Sequence, residues 1–128
     1  NPTTRHILRR YMELNTKYQA ILKKARDQFQ EKMIFFRYSG DVSLSSNLAN
    51  QISYEFPNKV IVVAYVNSSF ANLSIRGNLV DVREMTLKAV EQLEGARGGG
   101  HKHATGARVN TDDLDKFKAI FEEMIEED

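Results

Sequence analysis

The fold is decided by residues 59–76, KVIVVAYVNSSFANLSIR. The run from Lys59 to Val66 is apolar on successive residues, a pattern typical of a central strand buried on both faces. The run from Phe70 to Arg76 alternates apolar and polar residues, which predicts a second strand with one buried face. Because only Asn67–Ser69 separates the two runs, we expect the strands to pair in antiparallel fashion.

The sequence on either side alternates between helix and strand patterns. Apolar residues recur every three or four positions from Thr4 to Met33, which predicts one long amphipathic helix. Ile34–Tyr38 is β-branched and aromatic and predicts a strand. The remaining predicted elements are a helix from Asp41 or Ser43 through Glu55, a helix capped by Asp81 that runs through Leu93 and is stopped by Gly95, a short strand at Ala107–Val109, and a last helix capped by Thr111–Asp113. This order predicts an α/β (α+β) fold: a mixed sheet of about four to five strands with flanking helices and a long N-terminal connector helix.

Length and composition limit the classes of protein. The chain has 128 residues, 41% of them hydrophobic and 27% charged, as expected for one folded domain. It has no cysteine, which excludes disulfides, zinc ribbons, iron–sulfur clusters and thiol catalysis. It has no apolar run long enough for a membrane span and no signal peptide, so we expect a cytoplasmic location and no membrane partner.

The first helix is longer than a domain of this size needs. About 30 helical residues would span about 45 Å, and a helix that overhangs its own domain often links it to another. We therefore predict a connector at residues 1–33 and a domain at residues 34–128. The chain opens on Asn1-Pro2 without a Met, which favours a piece of a longer protein.

A glycine-rich segment at residues 95–107 is the strongest local signal. Gly98, Gly99 and Gly100 are followed directly by His101 and Lys102. Backbone N–H groups in such a loop can bind an anion, and the two basic side chains add donors, so phosphate is the natural ligand. The alternative is a flexible surface loop. A nucleotide-hydrolase P-loop is disfavoured, because the required Lys-Ser/Thr is missing and the segment follows a helix.

Ser74 and Arg76 form the second candidate. They share one face of their predicted strand, and a guanidinium can bind phosphate in a bidentate manner. The alternative is an exposed arginine without a role. His101 and His103 lack a third ligand nearby, so no metal site is predicted. Since no nucleophile elbow, carboxylate pair or Asp/His cluster is present, no catalytic residue is predicted either. The residues alone favour a protein that binds a phosphate-bearing ligand.

Gly98-Gly99-Gly100-His101-Lys102-His103-Ala104-Thr105-Gly106-Ala107 resembles the glycine–histidine signature of the DHH-associated domain, subfamily one. The resemblance covers about residues 34–126, with Tyr38-Ser39-Gly40, the pair Ser74 and Arg76, and Asp81-Val82 in the family's order. This domain follows the DHH catalytic domain in RecJ-like exonucleases and nanoRNase-type phosphodiesterases.

The resemblance implies a division of labour. The DHH domain holds Mn²⁺ or Mg²⁺ and cleaves the phosphodiester, while the associated domain holds the nucleotide. On this chain the family's substrate-binding residues correspond to Arg76, to Gly98–Gly100 and to His101, with Lys102 adding charge. No Asp-His-His occurs here, so we expect no cofactor in this chain and no nuclease activity from it alone. Whether the parent protein is an active enzyme is left open.

The implied partners are single-stranded DNA or short RNA, the DHH catalytic domain of the same parent, and replication proteins. An archaeal RecJ-like protein is the parent that the resemblance favours. Two alternatives stay open. One is a protein-interaction scaffold from an inactive relative; the other is the related tail domain of an alanyl-tRNA synthetase or editing factor, in which Arg typically follows the glycine run.

Overall fold

One mixed five-stranded sheet organises the part of the chain that is described. The computed structural model describes residues 2–27, 32–40 and 43–126. In chain order the elements are α1 (Pro2–Asp27), β1 (Met33–Tyr38), α2 (Ser45–Glu55), β2 (Val60–Val66), β3 (Phe70–Arg76), α3 (Val82–Glu91), β4 (Arg97–His101), β5 (Ala104–Asn110), a 3₁₀ turn (Thr111–Asp113) and α4 (Leu114–Glu126). The spatial order is β1-β2-β3-β5-β4. The predicted α+β class with a mixed sheet is confirmed.

Strand β2 lies inside the sheet, as its unbroken apolar run predicts. It pairs parallel with β1 and antiparallel with β3, whose register joins Ile61 to Arg76 and Val66 to Ala71. The remaining pairs, β3 with β5 and β5 with β4, are also antiparallel. The five residues from Val60 to Ala64 are all buried, which confirms a strand covered on both faces.

The two faces of the sheet are covered to different extents. On one face, α3 and α4 pack over β2, β3 and β5, and Phe117 and Phe121 are fully buried in that core. On the other face, the buried cluster draws its residues from α1, β1, α2 and β2 alone. Among the described residues, therefore, this second face is left without a helix layer over β5 and β4.

Helix α1 differs from its prediction at both ends. It begins at Pro2, a residue suited to the first helical position, and is described as far as Asp27. Residues 28–31 lie outside the described part, and Met33, predicted as the end of the helix, is the first residue of β1. Leu14 is buried at 1% exposure, whereas Ile7, Leu8 and Tyr11 of the predicted apolar stripe are more than half exposed. No helix in the described ranges is long and apolar enough to cross a membrane.

The starts of the other helices show which caps form. Asp81 caps α3 as predicted, since its carboxylate accepts from the Glu84 N–H at 3.0 Å. Helix α2 starts at Ser45 after Leu44, which provides no side-chain cap, so the predicted cap at Ser43 is wrong. Asp41, the other predicted cap, lies outside the described residues.

The segment predicted as a glycine-rich loop is instead a β-hairpin. Arg97–His101 forms β4, and β5 begins at Ala104, so the predicted short strand at Ala107–Val109 is part of a longer one. Helix α3 packs against β4 from one side, and a buried hydrogen bond joins Thr86 of α3 to Thr105 of β5 at 2.7 Å between hydroxyls. These contacts give the glycines strand geometry that their low strand propensity does not favour.

We predict that Tyr38→Phe destabilises the fold. The Tyr38 side chain is 4% exposed, and its hydroxyl accepts from the Leu44 N–H at 2.6 Å, directly before α2. Phenylalanine would leave that N–H without its acceptor, at a cost of about 1 kcal/mol in the free energy of unfolding. Urea denaturation measures the loss. Tyr54→Phe, on an 87% exposed residue of α2, is the matched control, and equal midpoints for the two variants would contradict the prediction.

Candidate functional site

The second sheet face, at and beyond the edge of α2, brings the sequence candidates Ser74, Arg76, Gly99 and His101 together. We call it the open face and define it by three rows of register partners on β3, β5 and β4. These rows are Arg76–Ala104–His101, Ser74–Gly106–Gly99 and Asn72–Arg108–Arg97. Partners in one row point to the same side of a sheet. Their strand neighbours Ile75, Leu73 and Val109 are buried on the opposite side against α3 and α4.

The middle row exposes bare backbone. A Cβ added at Gly99 would meet nothing within 4 Å, and one at Gly106 would meet only the Leu73 carbonyl oxygen at 3.5 Å. Two adjacent glycines on neighbouring strands thus leave a strip of sheet without side chains. A ligand can approach the main chain there more closely than anywhere a side chain projects.

Arg76 is held at the edge of this strip by its own hydrogen bonds. Its Nε donates to the Asn50 side-chain oxygen of α2 at 2.7 Å, and its Nη1 donates to the carbonyls of Ile75 and Thr105 at 2.8 and 3.2 Å. Burial lowers the pKa of the Arg76 guanidinium from its ordinary value, but an arginine keeps its charge in a protein. Nη2 donates to none of the described residues, so a fixed cation has a donor left for an anion.

Ser74 lies beneath α2 rather than on the exposed surface. Its side chain is 7% exposed, and its Oγ donates to the Ser45 Oγ at 3.2 Å and lies 3.3 Å from the Ser46 Oγ. The contact therefore fixes the first turn of α2 beside the glycine strip. Because no side chain caps that turn, its N–H groups present the positive end of the helix dipole there.

The three consecutive glycines have different surroundings. Only Gly99 belongs to the open face. A Cβ at Gly98 would lie 2.9 Å from the Thr86 methyl and 2.8 Å from the Gly106 carbonyl oxygen, so this glycine allows α3 to pack against β4. Gly100 has φ +143°, and its Cβ would lie 2.7 Å from the Ala104 carbonyl oxygen.

The basic residues after the glycines are exposed at the end of the hairpin. His101 is the register partner of Ala104 and shares a row with Arg76. Lys102 lies in the two-residue turn, and its carbonyl accepts from the Val82 N–H at 2.8 Å. The His103 Nδ1 lies 2.8 Å from the Gly77 carbonyl oxygen, which gives that ring a structural partner. Within the described ranges, no three His, Cys, Asp or Glu side chains come together as metal ligands.

Four polar residues at the site were missed at the level of sequence. They are Asn50, which positions Arg76, and Asn72, Arg97 and Arg108, which form the third row. In the sequence, Arg108 stands between apolar Ala107 and Val109, and this alternation is a signal that could have revealed it. Arg97 could have been found only by treating Arg97–His101 as a strand, which glycine content argues against.

Comparisons with known proteins agree with this architecture. The DHHA1 domain model matches residues 30–127. The C-Ala domain of alanyl-tRNA synthetase from Aquifex aeolicus superposes with a TM-score of 0.62 at 16% identity, over 71% of this chain and 87% of that one. RecJ from Thermus thermophilus, in complex with Mg²⁺, superposes with a TM-score of 0.60 at 20% identity, over 88% of this chain. The pGpG-specific phosphodiesterase PggH from Vibrio cholerae superposes with a TM-score of 0.55 at 13% identity, over 94% of this chain.

The extent of these matches limits what they show. At such identities the structural likeness shows the fold alone. The chain spans 18% of the RecJ chain and 43% of the PggH chain. No curated protein sequence matches the chain.

We predict opposite effects of alanine at two adjacent glycines. Gly98→Ala places a methyl against Thr86 and the Gly106 carbonyl, and should lower the free energy of unfolding by about 1–3 kcal/mol. Gly99→Ala places its methyl in open space and should leave stability unchanged or raise it by up to about 1 kcal/mol, because alanine restricts the unfolded chain. Urea denaturation of both variants is the measurement. Equal destabilisation would show that Gly99 does not face open space.

Proposed function

We propose a nucleotide- and nucleic-acid-binding function for this chain, which belongs to the DHHA1 domain family. The match of the family model to residues 30–127 confirms the resemblance found in the sequence. The proposed role is the substrate-binding domain of a RecJ-like DHH phosphodiesterase, either a single-strand exonuclease or an oligoribonuclease. One observation carries it: the bare strip at Gly99 and Gly106, flanked by a fixed Arg76 and the uncapped start of α2.

The chemistry of the strip suits a phosphate group. An anion over Gly99 and Gly106 would meet no side chain, so its oxygens could lie close to the sheet. The Arg76 Nη2 would donate to it from one side, and the first-turn N–H groups of α2 would add donors and favourable dipole charge. His101 and Lys102, both exposed at the end of the hairpin, would supply further donors to the same ligand or to its base.

The substrate class follows from the kind of contact. Donors to phosphate carry no sequence information, so we propose that single-stranded DNA and short RNA both bind. The described residues do not form a site for the Mn²⁺ or Mg²⁺ that the family implies. We therefore assign those ions, and the cleavage step, to a DHH catalytic domain. Helix α1 would be the connector to that domain, and the open face would hold the substrate.

The test is a binding titration of this chain with 5′-labelled single-stranded DNA and RNA oligonucleotides and with mononucleotides, at low and physiological salt. The double variant Arg76→Gln, His101→Gln should weaken binding at least about tenfold, because the charged Arg76 donor and the His101 ring donor are lost. Gly99→Val should also weaken binding while changing no charge, since its side chain would fill the strip. Thermal unfolding confirms that each variant is folded.

Arg83→Gln is the matched control. Arg83 is an exposed residue of α3, the helix on the opposite face of the sheet, and the substitution changes the charge by the same amount. It should bind like the wild type. If the double variant also binds like the wild type, the proposed site is wrong. If the wild type binds neither oligonucleotides nor mononucleotides, the scaffold alternative is favoured.

The alanyl-tRNA synthetase tail domain gives a second candidate, transfer-RNA binding, which the superposition on the C-Ala domain motivates. A gel shift with transfer RNA separates the two candidates. The proposed function predicts that single-stranded oligonucleotides compete with any transfer RNA bound and that Gly99→Val weakens both. Transfer RNA that binds more tightly than the oligonucleotides, and equally to Gly99→Val, would favour the tail domain instead.

A further inference from the structure

Two arginines lie opposite each other at the far end of the open face. Arg97 of β4 and Arg108 of β5 are register partners, and Asn72 of β3 is the next partner in the row. Like charges directly opposite on neighbouring strands destabilise a sheet. Among the described residues, neither arginine has a carboxylate within ion-pairing distance: the ion pairs there involve Arg10, Arg37, Lys88, Lys116 and Lys118. The repulsion between Arg97 and Arg108 is thus not offset by the protein.

Arg108 is fixed in position without an anion. Its guanidinium carbon lies 3.5 Å from the centroid of the Phe70 ring on β3, so the ring supports the flat face of the cation. Its Nε is buried and has no hydrogen-bond partner. The Arg108 side chain donates no hydrogen bond to any described residue, and a buried donor left unpaired is costly. A preorganised cation with unused donors, next to a second cation, is a site that an anion would stabilise.

The distance between the two ends of the open face fits a nucleic-acid strand. Arg108 lies four residues along β5 from Ala104, the partner of Arg76 and His101, which corresponds to about 13 Å. Between the two ends lies the row of Gly106 and Gly99, which carries no side chain. A stacked single strand rises about 3.4 Å per nucleotide, so about four nucleotides cover the distance, and fewer do so if the strand is stretched.

We propose that Arg97 and Arg108 form a second phosphate-binding position, so that the open face binds a single-stranded oligonucleotide along β5 more tightly than a mono- or dinucleotide. This inference rests on the proposed function, which supplies the first phosphate position at Arg76. The bound nucleic-acid strand crosses the glycine strip and places one phosphate near Arg76 and another near Arg97 and Arg108. Asn72, which lies in the same row as the two arginines, is available to donate to the sugar or base between them.

The test compares oligothymidylates of two, four and eight nucleotides on this chain. For the wild type, affinity should rise with length up to about four to eight nucleotides. The double variant Arg97→Gln, Arg108→Gln should bind the eight-nucleotide strand at least about tenfold more weakly and the two-nucleotide strand within about twofold of the wild type. The slope of log affinity against log salt for the longer strand should fall by about 0.7, since one phosphate contact is lost.

The variants are chosen so that the two proposals fail separately. The single variant Arg97→Gln changes an exposed side chain and tests the site if the double variant does not fold. It should weaken the binding of the eight-nucleotide strand but not that of the two-nucleotide strand. Arg83→Gln should have no effect. Suppose that the double variant Arg76→Gln, His101→Gln no longer binds either the two- or the eight-nucleotide strand, while the double variant Arg97→Gln, Arg108→Gln binds the eight-nucleotide strand like the wild type. The second phosphate-binding position is then wrong and the proposed function stands. Equal weakening of both lengths by the Arg97 and Arg108 variants also overturns it.

Discussion

The width of helix α2 determines which part of the second sheet face is left uncovered. Parallel strands require a crossover, and α2 supplies it between β1 and β2 on the second face of the sheet. A helix is about 10–12 Å across and strands are about 4.8 Å apart, so α2 covers about two strands, and it packs on β2 and β3. The other face has two helices, α3 and α4. The described strands β5 and β4 are therefore covered on one face only, and the open face is a consequence of this topology.

The glycine run serves both faces of the same strand because side-chain positions alternate. Gly98 lies on the covered face, where the absence of a Cβ lets α3 approach and the Thr86–Thr105 hydrogen bond form. Gly99 lies on the open face, where the absence of a Cβ leaves backbone accessible. Packing and the proposed binding thus involve adjacent residues of one edge strand. The basic residues stand at the ends of the glycine strip rather than within it, which leaves a flat path between two cationic positions.

Sequence patterns predicted those features that depend on neighbouring residues. The unbroken apolar run at residues 59–66 identified β2, the alternation at residues 70–76 identified β3, and Asp81 was identified as the cap of α3, because these effects are local. Strand β4 was not predicted, since its pairing with β5 and its contact with α3 are tertiary and override the low strand propensity of glycine. Arg97 was missed for the same reason, whereas Arg108 lies in a strand that was predicted in part. The alternation of polar residues correctly placed Ser74 and Arg76 on one face of β3. It did not predict that α2 covers Ser74, because that contact is tertiary.

The central claim is that a phosphate-bearing strand lies on the open face. The most direct measurement is a titration of the ¹⁵N-labelled chain with an eight-nucleotide single strand, followed by amide chemical-shift changes at physiological salt. The largest changes should occur at Gly99, Gly106 and His101 and in the first turn of α2, while amides of α3 and α4 stay unchanged. Changes centred on α1 or on the α3–α4 side of the sheet, or no changes at all, would contradict that claim.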